Sequence, residues 1–425
     1  MRRPGWMTLL LVTLAVGMTL SLAGIAMRRS AAPPAPTVAG LPTQTGAVKT
    51  FADFLDEAQV RAMTPAQWAA IARENAVVIL NSWDFRLIPV LKRANPAVQV
   101  WVYKDLSGVR SDDCTTRNGN CGACGAAVTD GRFLSSGMGY CWVKHHHPRW
   151  LVGAIGSGRP FEFRGYPQIW ETDYGNRAYQ RQWTSNVISD VRGHGWDGVQ
   201  VDNALTIPNA YGIAARYRTA AAVQAATYSA LRTMGGAFHH AGVRSVANVG
   251  YATSYPELWQ RWLGPVDGLE QEFYLSYSAH TSAVGALWDQ YENEVSSCAA
   301  ERKVCWFHSG AYTDAVPPQN RMYAVASFLL ATDGRQLLSL GDLSSPPLPP
   351  RLALGHAQGA MTLQGRVWRR SFDGGAVAVN PTGAGLQAHL GGSYLGTAGR
   401  LVSRVFLGPA SGAVVRAAAG ATAGR

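Results

Sequence analysis

Two spacings of apolar residues share the chain from Lys49 onward. Short runs rich in β-branched and aromatic residues, closed by Gly, Asn or Asp, read as buried strands. Longer stretches with apolar residues every third or fourth position read as helices. The central run is Gly195-Trp196-Asp197-Gly198-Val199-Gln200-Val201-Asp202-Asn203, in which a glycine-bracketed turn feeds an apolar strand ending on a carboxylate and an amide. In order, the predicted strands are 76–81, 98–104, 167–172, 198–202, 244–248, 268–272, 303–308 and 336–340. Helices are predicted to open at Thr64-Pro65, to run up to Leu91, and then to cover 177–192, 213–241, 256–263, 282–296 and 318–331. Eight strand–helix units in alternation imply a parallel sheet, and eight close on themselves. The expectation is an α/β protein, a (β/α)8 TIM barrel over 49–345. Pro346, Pro347, Pro349 and Pro350 punctuate its end. Past them the period is two, around the turn Asp373-Gly374-Gly375, so 350–415 is predicted to be a small C-terminal antiparallel β-sandwich. The Ala/Gly-rich tail after Val415 reads as frayed.

A second stretch, Asp267-Gly268-Leu269-Glu270-Gln271-Glu272, repeats the frame of the first: Asp-Gly, three residues, then an acid. Side chains alternate along a strand, so Glu272 should hold the height and face that Asp202 holds in its own strand. Other predicted strands also end on polar residues: Trp83 and Asp84, Lys104 and Asp105, Asp173, Asn203, Asn248, His308. Any one of these is most simply a turn former. Acids and amides closing strand after strand converge, in a barrel, on the mouth at the carboxyl ends. Two acids over one pocket are what glycoside hydrolysis needs: a proton donor, and a carboxylate that attacks or activates water. Asp202 is the candidate nucleophile or base and Glu272 the candidate acid, with Glu270 as its substitute. For Glu270 a supporting, salt-bridged role is an equal reading. Trp83, Lys104, Asp173, Asn203, Asn248 and His308 are the candidate substrate-binding residues. Core packing competes for Trp83, and hydrogen bonding to neighbours competes for His308.

Composition narrows the class. The 425 residues are 47% hydrophobic and 15% charged, which excludes a disordered chain. The net charge is +11, but Arg2, Arg3, Arg28 and Arg29 flank an apolar leader and carry four of those charges. No dense Lys/Arg block follows, so the surface is mildly basic and nucleic acid is not an expected partner. The leader from Trp6 to Met27 is about 22 residues long, enough to span a bilayer. Residues 1–29 are therefore predicted to be a signal peptide or a membrane-anchoring helix, 30–48 a Pro/Ala-rich linker, and the rest extracytoplasmic and monomeric.

Six cysteines fit that side of the membrane. Cys114, Cys121, Cys124 and Cys141 fall in a loop-rich excursion over about 105–164, near His145, His146 and His147. Cys121 and Cys124 have zinc-ligand spacing, but no second close pair completes a knuckle, so two disulfides of open pairing are expected. Cys298 and Cys305 are predicted to close a small loop. Neither metal nor cofactor is expected, and no phosphate-binding glycine loop or serine-hydrolase elbow is present.

These residues carry a family resemblance. Ile88-Pro89-Val90-Leu91-Lys92 with Asn95-Pro96, Val102-Tyr103-Lys104, the stretch from Trp196 to Asn203, Asp267-Gly268…Glu272, and Arg370-Ser371-Phe372-Asp373-Gly374-Gly375…Val379-Asn380-Pro381 occur in one order. The chain resembles the barrel proteins described as hypothetical glycosyl hydrolases and, more distantly, polygalactosaminidase-type enzymes, over roughly Thr50 to Pro409. The resemblance implies a barrel, a small β-domain and a polysaccharide or oligosaccharide substrate. A glycan-binding barrel without activity, assisting polysaccharide export or cell-envelope assembly, is the alternative.

Overall fold

The computed structural model describes residues 48–111, 130–276, 278, 281–310, 316–341, 354–396 and 399–418. The predicted leader, most of the linker, and Cys114, Cys121 and Cys124 lie outside the described residues. Among those described, no helix is long and apolar enough to cross a membrane.

Eight parallel strands close into a barrel. They are β1 (Lys49–Phe54), β2 (Val77–Leu80), β3 (Gln99–Asp105), β6 (Gly198–Asp202), β7 (Ser245–Asn248), β8 (Gly268–Gln271), β9 (Trp306–Ser309) and β10 (Leu337–Leu340). The intervening β4 (Gly108–Arg110) and β5 (Ile169–Glu171) pair antiparallel with each other outside the barrel. The helices are α1 (Glu57–Ala62), α2 (Pro65–Glu74), α3 (Ile88–Ala94), α4 (Tyr140–His146), α5 (Arg177–His194), α6 (Ala220–Ala241), α7 (Pro256–Leu263), α8 (Ala286–Ala300) and α9 (Pro318–Ala331).

The expected barrel stands, but with one strand exchanged. β1, not read from the sequence, pairs with β2 and β10 and closes the ring. The predicted strand at 167–172 is β5, which belongs to the excursion, and β3 pairs directly with β6. In Lys49–Phe54 a lysine and an aspartate dilute the apolar signal, whereas Ile169–Glu171 with its flanks shows the alternation expected of any half-buried strand.

Successive side chains divide between two cores. Phe51, Val77, Ile79, Trp101, Val246, Trp306 and Leu337 fill the barrel interior, while Val78, Leu80, Val100, Val102, Val199 and Val201 face the helices. Trp101 meets Trp306 edge-on at 4.9 Å, and Phe51 stacks on Trp306 at 5.4 Å, making an apolar floor. Gly198 permits this, since a Cβ there would sit 2.8 Å from the Trp101 ring. Gly268 permits an even closer backbone approach, its Cβ position lying 2.1 Å from the Val304 carbonyl oxygen. The aspartates of the two Asp-Gly frames are bottom-end anchors. Asp197 Oδ2 accepts the Val100 N–H (2.7 Å) and pairs with Lys92, and Asp267 Oδ2 accepts the Ser245 N–H (2.8 Å). Each ties its own strand to the start of the preceding neighbour.

The C-terminal strands β11 (Thr362–Gln364), β12 (Val367–Phe372), β13 (Gly375–Asn380), β14 (Leu386–Leu395), β15 (Leu401–Leu407) and β16 (Ser411–Ala417) form one antiparallel sheet rather than the two sheets of a sandwich. A register break in β14 between His389 and Tyr394 folds the sheet, so Ala388 and Leu390 share a core with Val367, Ala376 and Ala378. The sheet also packs on α9, where the Arg370 Nη1 donates to the carbonyls of Leu329, Leu330 and Thr332. Cys298 and Cys305 form a disulfide between α8 and β9, as expected, and Cys141 is also oxidised.

Candidate active site

Above the apolar floor, two-residue steps along each strand bring polar side chains inward. Asp53, Tyr103, Asp105, Gln200, Asp202, Asn248, Glu270, Glu272 and His308 come to the carboxyl-terminal mouth by this rule. The register sets Asp105 beside Asp202 and Asn248 beside Glu270.

Asp202 and Glu272, distant in sequence, meet through Asn248. The Asn248 Nδ2 donates to Asp202 Oδ1 (3.0 Å) and to Glu272 Oε2 (3.1 Å). A planar amide nitrogen sends its two N–H bonds about 120° apart, so the two accepting oxygens lie about 5 Å from each other and at most about 6 Å.

The two acids differ in their donors. Asp202 Oδ2 accepts the Tyr103 hydroxyl (2.6 Å), and Oδ1 also accepts the Asn203 backbone N–H (2.8 Å). Burial raises its pKa, but these bonds and the Asn248 amide oppose that rise and favour the carboxylate. Among the described residues, Glu272 has the Asn248 amide alone. Burial first, then the Asp202 charge, pushes it up to about 7. The rise is opposed by three donors at Asp202 and by one at Glu272.

Glu270 points into the barrel below them and is fully buried. Its Oε2 accepts the Gln200 amide (2.6 Å), and burial raises its pKa well above the ordinary value. Its Oε1, the Gln200 Oε1 and the Asn248 Oδ1 are buried without hydrogen-bond partners among the described residues. His308 also faces inward, and burial lowers it to about 3. A neutral imidazole brings no charge to shift the acids.

Asn203 adopts φ 59°, a left-handed conformation unusual outside glycine. Its amide nitrogen donates to Asp105 Oδ2 (2.9 Å), and its oxygen accepts the Tyr211 hydroxyl (2.6 Å). Asp105 also accepts the N–H groups of Ser107 and Gly108. Burial and then the Asp202 charge raise Asp105 to about 7. Asp53, at the end of β1, is raised to about 6, mainly by burial with the Asp202 charge adding.

Two candidates lie elsewhere. Lys104 points away from the mouth, behind the barrel wall. Its fully buried ammonium pairs with Asp190 of α5 at 2.6 Å and donates to Ser82 Oγ and to the carbonyls of Arg132 and Leu134. This network pins the excursion to the barrel and leaves no proton for a substrate. Asp173 is held by the Tyr217 hydroxyl (2.5 Å) and Arg216 (3.0 Å), in a separate constellation. Trp83 opens the segment that follows β2. It is half-buried, and its indole N–H has no acceptor.

Asp53, Tyr103, Gln200 and Tyr211 were not among the sequence-derived candidates, and Asp105 was read only as a strand-end polar residue beside Lys104. Asp53 sits on the unread strand. Tyr103 and Asp105 flank Lys104 with the opposite phase.

The family model described as Hypothetical glycosyl hydrolase family 15 matches residues 92–376. The chain belongs to that family. The match runs from α3 to the start of β13 and so includes Asp202, Asn248 and Glu272. No curated protein matches the chain. Solved structures similar to this glycosyl hydrolase include the maltogenic α-amylase AmyB of Thermotoga neapolitana, at 10% identity and TM-score 0.49, covering 87% of this chain and 98% of that one. The cyclic α-maltosyl-(1→6)-maltose hydrolase of Arthrobacter globiformis is similar at 11% identity and TM-score 0.44, covering 91% and 94%. Aspergillus fumigatus Ega3, solved with galactosamine, is similar at 11% identity and TM-score 0.40, covering 74% and 98%.

Proposed function

We propose that this glycosyl hydrolase cleaves a polysaccharide outside the cytoplasm with net retention at the anomeric carbon. The observation that carries the reading is the single Asn248 amide nitrogen shared by Asp202 and Glu272. The short span it sets suits a direct attack, since about 5–5.5 Å between carboxyls accompanies retention and about 6.5–9.5 Å leaves room for a water and accompanies inversion. Asp202 attacks the anomeric carbon while Glu272 passes its proton to the departing oxygen. The C–O bond to the leaving sugar breaks and a glycosyl ester on Asp202 forms. Glu272, now ionised, takes a proton from water, which displaces Asp202 and restores both groups. The Cys298–Cys305 disulfide supports an oxidising location.

Charge narrows the sugar. Asp53, Asp105, Asp202, Glu270 and Glu272 form no ion pair among the described residues, and Lys104 and Arg216 pair with Asp190 and Asp173 instead. A uronic acid would bring its negative charge beside an ionised Asp202 that has no cation partner among the described residues, so the substrate is a neutral or amine-bearing glycan.

The test is release of new reducing ends from neutral, amine-bearing and uronic-acid polysaccharides. Glu272→Gln is expected to lower the rate by about 10²–10⁴ and Asp202→Asn by at least as much, with folding intact. Normal release by both variants removes the assignment and leaves a glycan-binding barrel.

A further inference from the structure

The loop between Phe163 and Ile169 belongs to the excursion, yet it is built to a tight specification. Phe163 N–H donates to the Ile169 carbonyl (2.8 Å), and Gln168 N–H to Glu162 Oε1 (2.5 Å). Arg164 N–H donates to the Tyr211 carbonyl (2.8 Å), which ties the loop to the segment after β6. Gly165 sits at φ 85° and Gln168 at φ 71°, so a non-glycine residue is held in the left-handed region. Such strain persists only where the surroundings over-determine it.

What this loop presents is Tyr166. Its ring meets Tyr211 edge-on at 5.2 Å, and Tyr211 stacks on Phe163 at 4.4 Å. The Tyr211 hydroxyl in turn holds Asn203, the residue that follows Asp202. A column of three aromatic rings thus rises beside the nucleophile, and its outermost residue, Tyr166, is 40% exposed. An exposed aromatic face braced edge-on by another ring is suited to the C–H face of a pyranose.

We infer that Tyr166 is the platform on which the sugar next to the cleaved residue stacks. The assignment rests on Asp202 as nucleophile and Glu272 as acid.

The experiment compares wild type, Tyr166→Phe and Tyr166→Ala on two substrates of the same sugar, an oligosaccharide and the glycosyl fluoride, whose leaving group has no ring. Tyr166→Ala is expected to lower kcat/KM on the oligosaccharide about tenfold and to leave the fluoride within about twofold. Tyr166→Phe keeps both rates. An equal loss on both substrates, or no loss on the oligosaccharide, overturns the platform. Native gels cast with a soluble α-glucan, a galactan or an amine-bearing glycan read binding without turnover. Retardation is expected to weaken in Tyr166→Ala, and undiminished retardation overturns the platform as well. A wild type that is retarded but cleaves nothing sinks the hydrolase reading alone, and one neither retarded nor active sinks both.

Discussion

At the scale of single residues, the difference between Asp202 and Glu272 is a difference in hydrogen-bond donors. Three N–H or O–H groups serve the aspartate, and one amide, itself shared, serves the glutamate. The pH dependence follows with a definite sign. In the proposed mechanism Glu272 works protonated, so kcat/KM is expected to fall as pH rises through about 7. In the same mechanism Asp202 works ionised, so the rate is expected to fall again on the acid side as it takes a proton. A pH–rate profile of the wild type should be bell-shaped, and one flat across pH 7 contradicts the roles. The two acids were legible in the sequence because the Asp-Gly frame sets their phase. Lys104 and Asp105 were not distinguishable in this way. The strand Gln99–Asp105 is apolar on both faces, from Val100 to Tyr103, so nothing in the pattern says which residues look inward. One step of phase separates a buried ion pair behind the wall from a carboxylate at the mouth.

At the scale of elements, barrel closure depends on β1 and the excursion depends on a charge. Lys104 on β3 and Asp190 on α5 are both fully buried, with Ser82, His194 and Trp196 also bonded to the aspartate. Removing the ammonium leaves a carboxylate without its counter-charge in a dry site. Lys104→Ala is therefore expected to cost about 3–5 kcal/mol of unfolding free energy. Urea unfolding followed by tryptophan fluorescence measures it, and a loss below about 1 kcal/mol rules out a structural role for the pair. The number of barrel units was readable because the alternation of periods counts them. The identity of one was not. β1 joins the ring through partners nearly 290 residues away as well as through β2, and a window of a few residues carries no trace of such pairing.

At the scale of the molecule, the C-terminal sheet is bonded to the barrel rather than tethered beside it. Arg370 is 2% exposed, and its guanidinium serves the end of α9 by donating to three carbonyls there. Gly412 lies against the same helix, where a Cβ would sit 2.6 Å from Ala326. The barrel and the sheet should therefore unfold in one transition. Arg370→Leu leaves those carbonyls unserved and is expected to lower stability by about 1–3 kcal/mol, read as a shift of the denaturant midpoint. An unchanged midpoint shows that the sheet contributes nothing to the barrel's stability. The period-two pattern announced strands after 350, but it does not say whether they make one sheet or two. That is decided by the break in β14, where no turn residue marks the fold beyond Gly391 and Gly392.

Because β3 and β6 are direct neighbours, the chain between 106 and 176 leaves the ring and comes back at the same rim. No rung of the barrel ladder passes through it. An inserted module of this kind can be lengthened, trimmed or exchanged while the reacting pair keeps its spacing, so what the protein grips and what it does to the bond are free to diverge separately.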